Sequence, residues 1–220
     1  FGPSGNSESF YQEGYEHTEE AAHYCKERGL DCFEYSFGRG VRMGAEKARS
    51  IGSAFKKEGV ELSVHAPYFI NFANPDDEMA QKSFGYVLDS ARALKRMGGK
   101  RLVFHPAALG KMEREKAVEL CEERLKRLCE YIYLNNMEDL MFCPETMGKP
   151  AQIGPVEEVP RVCKIAKVFP STARRGRYAT SRSTTKCTRR SLRRSPPRSK
   201  NAGCTPTSSA NRRGRSPATR

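Results

Sequence analysis

The stretch Val64-His65-Ala66-Pro67-Tyr68-Phe69-Ile70-Asn71 continues from Glu61-Leu62-Ser63. It reads as an apolar strand that runs out into a histidine, a proline, an aromatic and an amide. Forty residues on, Leu102-Val103-Phe104-His105-Pro106 repeats the pattern. Forty further, Leu140-Met141-Phe142-Cys143-Pro144-Glu145-Thr146 repeats it with a carboxylate. Imidazole nitrogens and carboxylates are the usual protein ligands of a catalytic zinc. Three strands ending in such groups point to a metal site at one rim of a parallel barrel.

The segments around these strands support that geometry. A helix is predicted from Tyr15 to Arg28, with Ala21, Ala22 and Cys25 on its inner face and Gly29 as its stop. A short strand follows from Leu30 to Phe37, then the loop Gly38-Arg39-Gly40-Val41-Arg42. Ala45 to Glu58 is predicted helical, ended by Gly59, and leads into the strand at 60–66. Asn74-Pro75-Asp76-Asp77-Glu78 is a helix start, because acidic side chains accept from the free N–H groups of a first turn. Phe84, Val87, Leu88, Ala91, Leu94 and Met97 then keep one buried face, and Gly98-Gly99 ends the helix before the strand at 101–105. A helix from about Glu113 to Tyr133 carries Ala117, Leu120, Cys121, Leu125, Leu128 and Ile132 on one stripe. Asp139 to Glu145 is the next strand, and Val156 to Lys167 a short helix that Pro160 bends or interrupts. Phe1 to Ser9 reads as the loop after a strand whose beginning is missing. Strand and helix thus alternate about four times, which predicts an α/β chain with a parallel sheet covered by helices. In such sheets the chemistry sits at the C-terminal strand ends.

Charge divides the chain at about Phe169. Residues 171–220 hold 13 Arg and 2 Lys with no Asp or Glu, so they carry +15 of a whole-chain net charge of +13. The first 170 residues are left at −2, so their net charge alone does not announce a nucleic-acid binder. Leu192 is the only large aliphatic residue of the last fifty and Tyr178 the only aromatic. Such a segment cannot bury enough apolar surface to offset the entropy of ordering and is predicted to be disordered. The expected organisation is a domain over 1–168 and a basic Arg/Ser/Thr/Pro-rich tail over 169–220. The tail's composition matches out-of-frame translation of a GC-rich gene, and reading the coding DNA beyond codon 168 in the other two frames tests this. No run approaches the ~18 apolar residues of a membrane span. The start Phe1-Gly2-Pro3-Ser4-Gly5 is not a secretory signal and lacks an initiator Met, as a fragment or processed chain would. The eight Cys form no C-x-x-C pair, which predicts buried free thiols and a cytoplasmic setting.

Each candidate residue has a plain alternative. A lone histidine at a strand end is as a rule a structural, hydrogen-bonded one. The matched His65 and His105, with Glu145 at the third position, leave metal ligation and structural hydrogen bonding as two readings of the pattern. His17 and His23 have no partner spacing and read as solvated surface. Asp76-Asp77-Glu78 is accounted for by capping. Arg39 and Arg42, beside glycines on a strand-end loop, read either as phosphate contacts or as solvent-exposed cations.

The segments Phe1-Gly2-Pro3-Ser4-Gly5-Asn6-Ser7, Gly38-Arg39-Gly40-Val41-Arg42, Ser63-Val64-His65-Ala66-Pro67-Tyr68, Phe104-His105-Pro106, Gly110-Lys111-Met112 and Cys143-Pro144-Glu145-Thr146-Met147-Gly148-Lys149 occur in that order. On these residues the chain, to about Val168, resembles the endonuclease IV (deoxyribonuclease IV) family of apurinic/apyrimidinic endonucleases, closest to its archaeal-type branch. The resemblance implies a (β/α)8 TIM barrel, of which four to five β/α units are present. It implies a monomeric, zinc-dependent hydrolase of DNA base excision repair that cuts 5′ to an abasic site in double-stranded DNA, leaving a 3′-hydroxyl and a 5′-deoxyribose phosphate. By resemblance, His65, His105 and Glu145 bind the first of three zinc ions, with Glu145 also the catalytic bridge to a second. Tyr68 then packs at the abasic position and Arg39 enters the duplex. The chain departs from the family in having no His after His105 and no Asp or Glu after Glu158. Six of the family's nine ligand positions are therefore absent, and the expectation is a chain with the ligands of one zinc, in which catalysis lacks the remaining metals. Two other classes fit part of the pattern. One is a metal-dependent sugar isomerase or epimerase on a similar barrel; the other is a non-enzymatic nucleic-acid binder acting through the tail.

Overall fold

The computed structural model describes residues 1–155 together with 157, 158 and 161. Four parallel strands form one sheet: β1 (Cys32–Ser36), β2 (Glu61–His65), β3 (Arg101–Phe104) and, later in the chain, β5 (Met141–Pro144). Their order across the sheet is their order in sequence. Pro3 to Gly5 lies along the free edge of β1, through a parallel bridge between Ser4 and Glu34, where a preceding barrel strand belongs. Helices α3 (Ala45–Glu58), α4 (Asp77–Met97) and α5 (Arg114–Leu134) connect successive strands. This is the β/α alternation read from the sequence, and the fold is of the TIM-barrel type with part of the barrel present.

The local signals act as expected. Gly59 and Gly98 end α3 and α4 in the left-handed conformation, at φ 69° and 74°. Asp76 caps α4 by accepting from the amides of Glu78 and Met79. Strand alternation then sorts the faces. Val64, Leu102, Phe104 and Phe142 are buried under the helices, against Phe84, Val87, Ala91 and Leu94 of α4 and the stripe of α5. Leu120 lies at the margin of that stripe and is half-buried, while Arg124 occupies an inward position.

Three features differ from expectation. The helix expected from Tyr15 is regular only as α2 (Ala21–Glu27), because the Glu20 carboxylate turns back to accept from the amides of Glu16 and His17. The expected N-terminal loop contains a short helix, α1 (Glu8–Gln12), capped by Ser7. Two-residue strands β4 (Ala107–Ala108) and β6 (Gln152–Ile153) pair antiparallel and tie the loop after β5 to the loop after β3. The helix expected at Val156 to Lys167 falls outside the described residues except at Glu157, Glu158 and Arg161. The tail and the boundary at 168 also lie outside them. Among the described residues no helix is long and apolar enough to cross a membrane. Cys25, Cys32, Cys121, Cys129 and Cys143 are not in disulfides, and all but Cys32 are buried.

Candidate metal centre

Register brings the three strand-end groups together. His65 pairs with Val103, and Phe104 with Pro144. Because side chains alternate, His65, Val103 and Cys143 share one face of the sheet, and His105 and Glu145, two residues on, return to it. The backbone continues to pair past the strand ends. Phe37 donates to the His65 carbonyl at 3.0 Å, Ala66 to Val103 at 2.8 Å and Glu145 to Phe104 at 2.9 Å. The ligand-bearing residues are therefore held by the sheet rather than by free loops.

One carboxylate oxygen sits between two imidazoles. Glu145 Oε2 is 3.1 Å from His65 Nε2 and 2.9 Å from His105 Nε2, and the two rings meet edge to face at 4.9 Å. The three candidate ligand atoms lie within 4.8 Å of one another, the one His/Cys/Asp/Glu group among the described residues with such convergence. Hydrogen bonds from His105 and His65 hold the Glu145 carboxyl down at about 2, against the opposing effect of burial. Burial disfavours the charged form of His65, yet the Glu145 carboxylate and the Ala66 carbonyl raise its pKa overall.

The donor set fits a cation. His65 Nδ1 is 2.8 Å from the Ala66 carbonyl oxygen, which can only accept, so Nδ1 carries the proton. In the neutral ring, Nε2 then turns a lone pair toward the Glu145 oxygen. Two lone pairs at that separation repel unless a positive charge lies between them, and a proton or a metal ion supplies it. A backbone acceptor on the distal nitrogen is also the usual device for orienting a metal-binding histidine.

Two loops rise beside this group. The amide of Tyr68 donates to the Gly38 carbonyl at 3.2 Å, which links the loop after β2 to the loop carrying Arg39. Arg39, Arg42 and Tyr68 are exposed, and Tyr68 packs against Phe69 with ring centroids 4.4 Å apart and the planes tilted by 44°. His17 and His23 are exposed and lie outside the metal group; His23 faces Glu27 and Glu58.

Sequence reasoning gave no role to three residues that hold the loop after β2. The Asn71 side-chain oxygen, Oδ1, accepts from the amides of Ala73 and Ala108, bridging this loop to β4. Ser83 Oγ accepts from the Asn71 amide. The Arg124 guanidinium, 3% exposed, donates to the carbonyls of Phe72 and Asn74 and to Asp77 Oδ1. A charged residue inside the otherwise apolar stripe of α5 was the available signal for Arg124.

A sequence profile for the xylose isomerase-like TIM barrel matches residues 22–167. The chain belongs to this family. An uncharacterized protein of Methanocaldococcus jannaschii is 29% identical over 153 residues, covering 70% of this chain and 55% of its own length. A protein of Mycoplasmoides gallisepticum named "Probable endonuclease 4" is 33% identical over 95 residues, covering 43% of this chain and 30% of that protein. Among solved structures, a D-psicose 3-epimerase superposes with a TM-score of 0.57 at 11% identity, over 73% of this chain and 59% of that one, a likeness of fold alone. The chain spans about half the length of the first relative and under a third of the second. The endonuclease IV resemblance read from the motifs agrees with the name carried by the second.

Proposed function

We propose that this chain carries the first-metal part of a zinc-dependent abasic-site endonuclease centre, which binds double-stranded DNA and directs cleavage 5′ to the abasic nucleotide. The convergence of His65, His105 and Glu145 below the linked Arg39 and Tyr68 loops supports this reading most directly. When bound, zinc supplies a Lewis acid that activates water and stabilises charge on a phosphoryl oxygen. His65 and His105 offer Nε2, and Glu145 offers the carboxylate oxygen that sits between them. The Ala66 carbonyl holds the His65 proton on Nδ1 and so keeps Nε2 free to ligate. Tyr68 offers a ring face where a base is missing, and Arg39 a guanidinium to the phosphate backbone. Extruding an abasic nucleotide is inexpensive because no base has to be unpaired. Cleavage itself draws on further ligands, since the chain has no histidine after His105.

The test is fluorescence anisotropy of the full chain with two matched duplexes, one bearing a tetrahydrofuran abasic analogue, with and without zinc. Tighter binding of the abasic duplex, lost in His65→Ala and Tyr68→Ala, is expected. Equal affinity for both duplexes in every variant would leave only the electrostatics of the +15 tail and sink the reading. Zinc-dependent epimerisation of a ketose, without discrimination between the duplexes, would instead establish the sugar-epimerase alternative.

A further inference from the structure

A concave site lies at the end of the sheet opposite the metal group. A cavity of about 680 Å³ opens between the C-terminal ends of α3 and α4, at the N-terminal edge of β2 and β3. Arg49, Lys56, Lys95, Arg96, Lys100 and Arg101 line it, with Glu61 as its one carboxylate. Leu62 and Met97 form part of its floor. The first 170 residues are net −2, so this concentration of cations is not the average surface.

Part of the charge has a structural use. Lys95 pairs with Asp139 at 2.9 Å and Arg101 with Glu61 at 2.7 Å. Each helix C-terminus presents about half a negative charge, so two of them offset about one cation. Six cations against two carboxylates and two helix ends leave a surplus of about three positive charges. Arg49, Lys56, Arg96 and Lys100 have no ion pair among the described residues, and all four are exposed. Packing does not call for a surplus of that size around one cavity. A multiply charged anion would be attracted to it, and the volume is in the range of small-molecule sites.

We infer that the cavity between α3 and α4 is a binding site for a small polyphosphate-bearing ligand, separate from the metal centre. The phosphates would meet Arg96, Lys100 and Lys56, and any ring or aliphatic part would rest toward Leu62 and Met97. The inference does not depend on the proposed endonuclease function.

Calorimetric titration of the full chain with inorganic tripolyphosphate, at about 0.15 M salt to screen distant charge, tests it. The double reversal R96E/K100E is compared with K116E/K126E, which makes the same change of charge on the exposed face of α5. R96Q/K100Q, which neutralises without reversing, guards against misfolding, and circular dichroism checks each variant. A loss of about tenfold or more in the cavity pair, against less than about twofold in the α5 pair, is expected. Equal losses in both pairs, or no saturable binding, would overturn the site. ATP serves as a second probe: affinity equal to tripolyphosphate assigns recognition to the phosphate chain, and tighter binding adds the floor. If R96E/K100E weakens binding of an unmodified DNA duplex as strongly as that of tripolyphosphate, the surface reads a polymer and the small-ligand assignment fails.

Discussion

The two ends of the same sheet carry opposite chemistry. At the C-terminal end, Glu145 and two imidazoles converge on one point that calls for a cation. At the N-terminal end, six cations surround a cavity with a single carboxylate. The difference follows from how the β/α unit is built. Strands that continue to pair for one more residue carry His65, His105 and Glu145 outward on a fixed backbone. Helix C-termini, ended by Gly59 and Gly98, gather lysine and arginine in their last turns, where the dipole favours them. One end therefore positions ligands, and the other accumulates field.

The largest expected effect lies at the ligand end. His65→Ala or Glu145→Ala should weaken zinc binding about 100-fold or more, since one of three protein donors is lost. Competition with a chromophoric chelator measures it, and an unchanged affinity would break the contrast at its strongest point. Next, Arg124→Met should cost about 3 kcal/mol in urea denaturation, because two carbonyls and Asp77 lose a buried charged donor. A cost near zero would mean that the loop after β2 is held by the sheet alone. Asn71→Ala should cost about 1–2 kcal/mol in the same assay, by freeing the amides of Ala73 and Ala108.

The pH response separates the two ends further. The Glu145 carboxyl is depressed in the folded chain, from 4.5 to about 2. Its contribution to stability is therefore complete above the ordinary carboxylate range and fades as pH falls from about 4.5 toward about 2. His65 is raised, so its contribution is complete below the ordinary imidazole value and fades as pH rises through the folded one. In chelator, Glu145→Gln should flatten the acid limb of the urea midpoint, and R96E/K100E should leave it in place. The smallest effect sharpens the contrast most: R96E/K100E should change zinc affinity less than about twofold, because the cavity lies at the other end of the strands.

Much of this was legible in the sequence because glycine stops and apolar spacing are local signals. The bounds of α3 and the burial of Phe84, Val87 and Leu94 follow from them directly. The matched positions of His65, His105 and Glu145 were readable because parallel strands of equal period put equivalent residues on one rim. The pairing of β4 with β6 was not readable, since two residues show no alternation. The early start assigned to α2 failed where Glu20 preferred to accept from Glu16 and His17. The Arg124 clamp and the cationic cavity depend on which helix ends meet in space, and spacing along the chain does not state that.

The pairing of β4 with β6 has a consequence for the order in which the chain is made. Synthesis from the N-terminus delivers β2 and β3 first, so a nascent chain that folds as it emerges can align His65 and His105 before Glu145 exists. Two imidazoles alone hold a metal ion loosely. The carboxylate arrives 40 residues after His105, at the end of β5, and the loop beyond it is tied down when Gln152 and Ile153 reach Ala107 and Ala108. The three-group cluster thus closes late in the making of the sheet, when Glu145 has followed the fourth strand and β6 has tied down the loop beyond it.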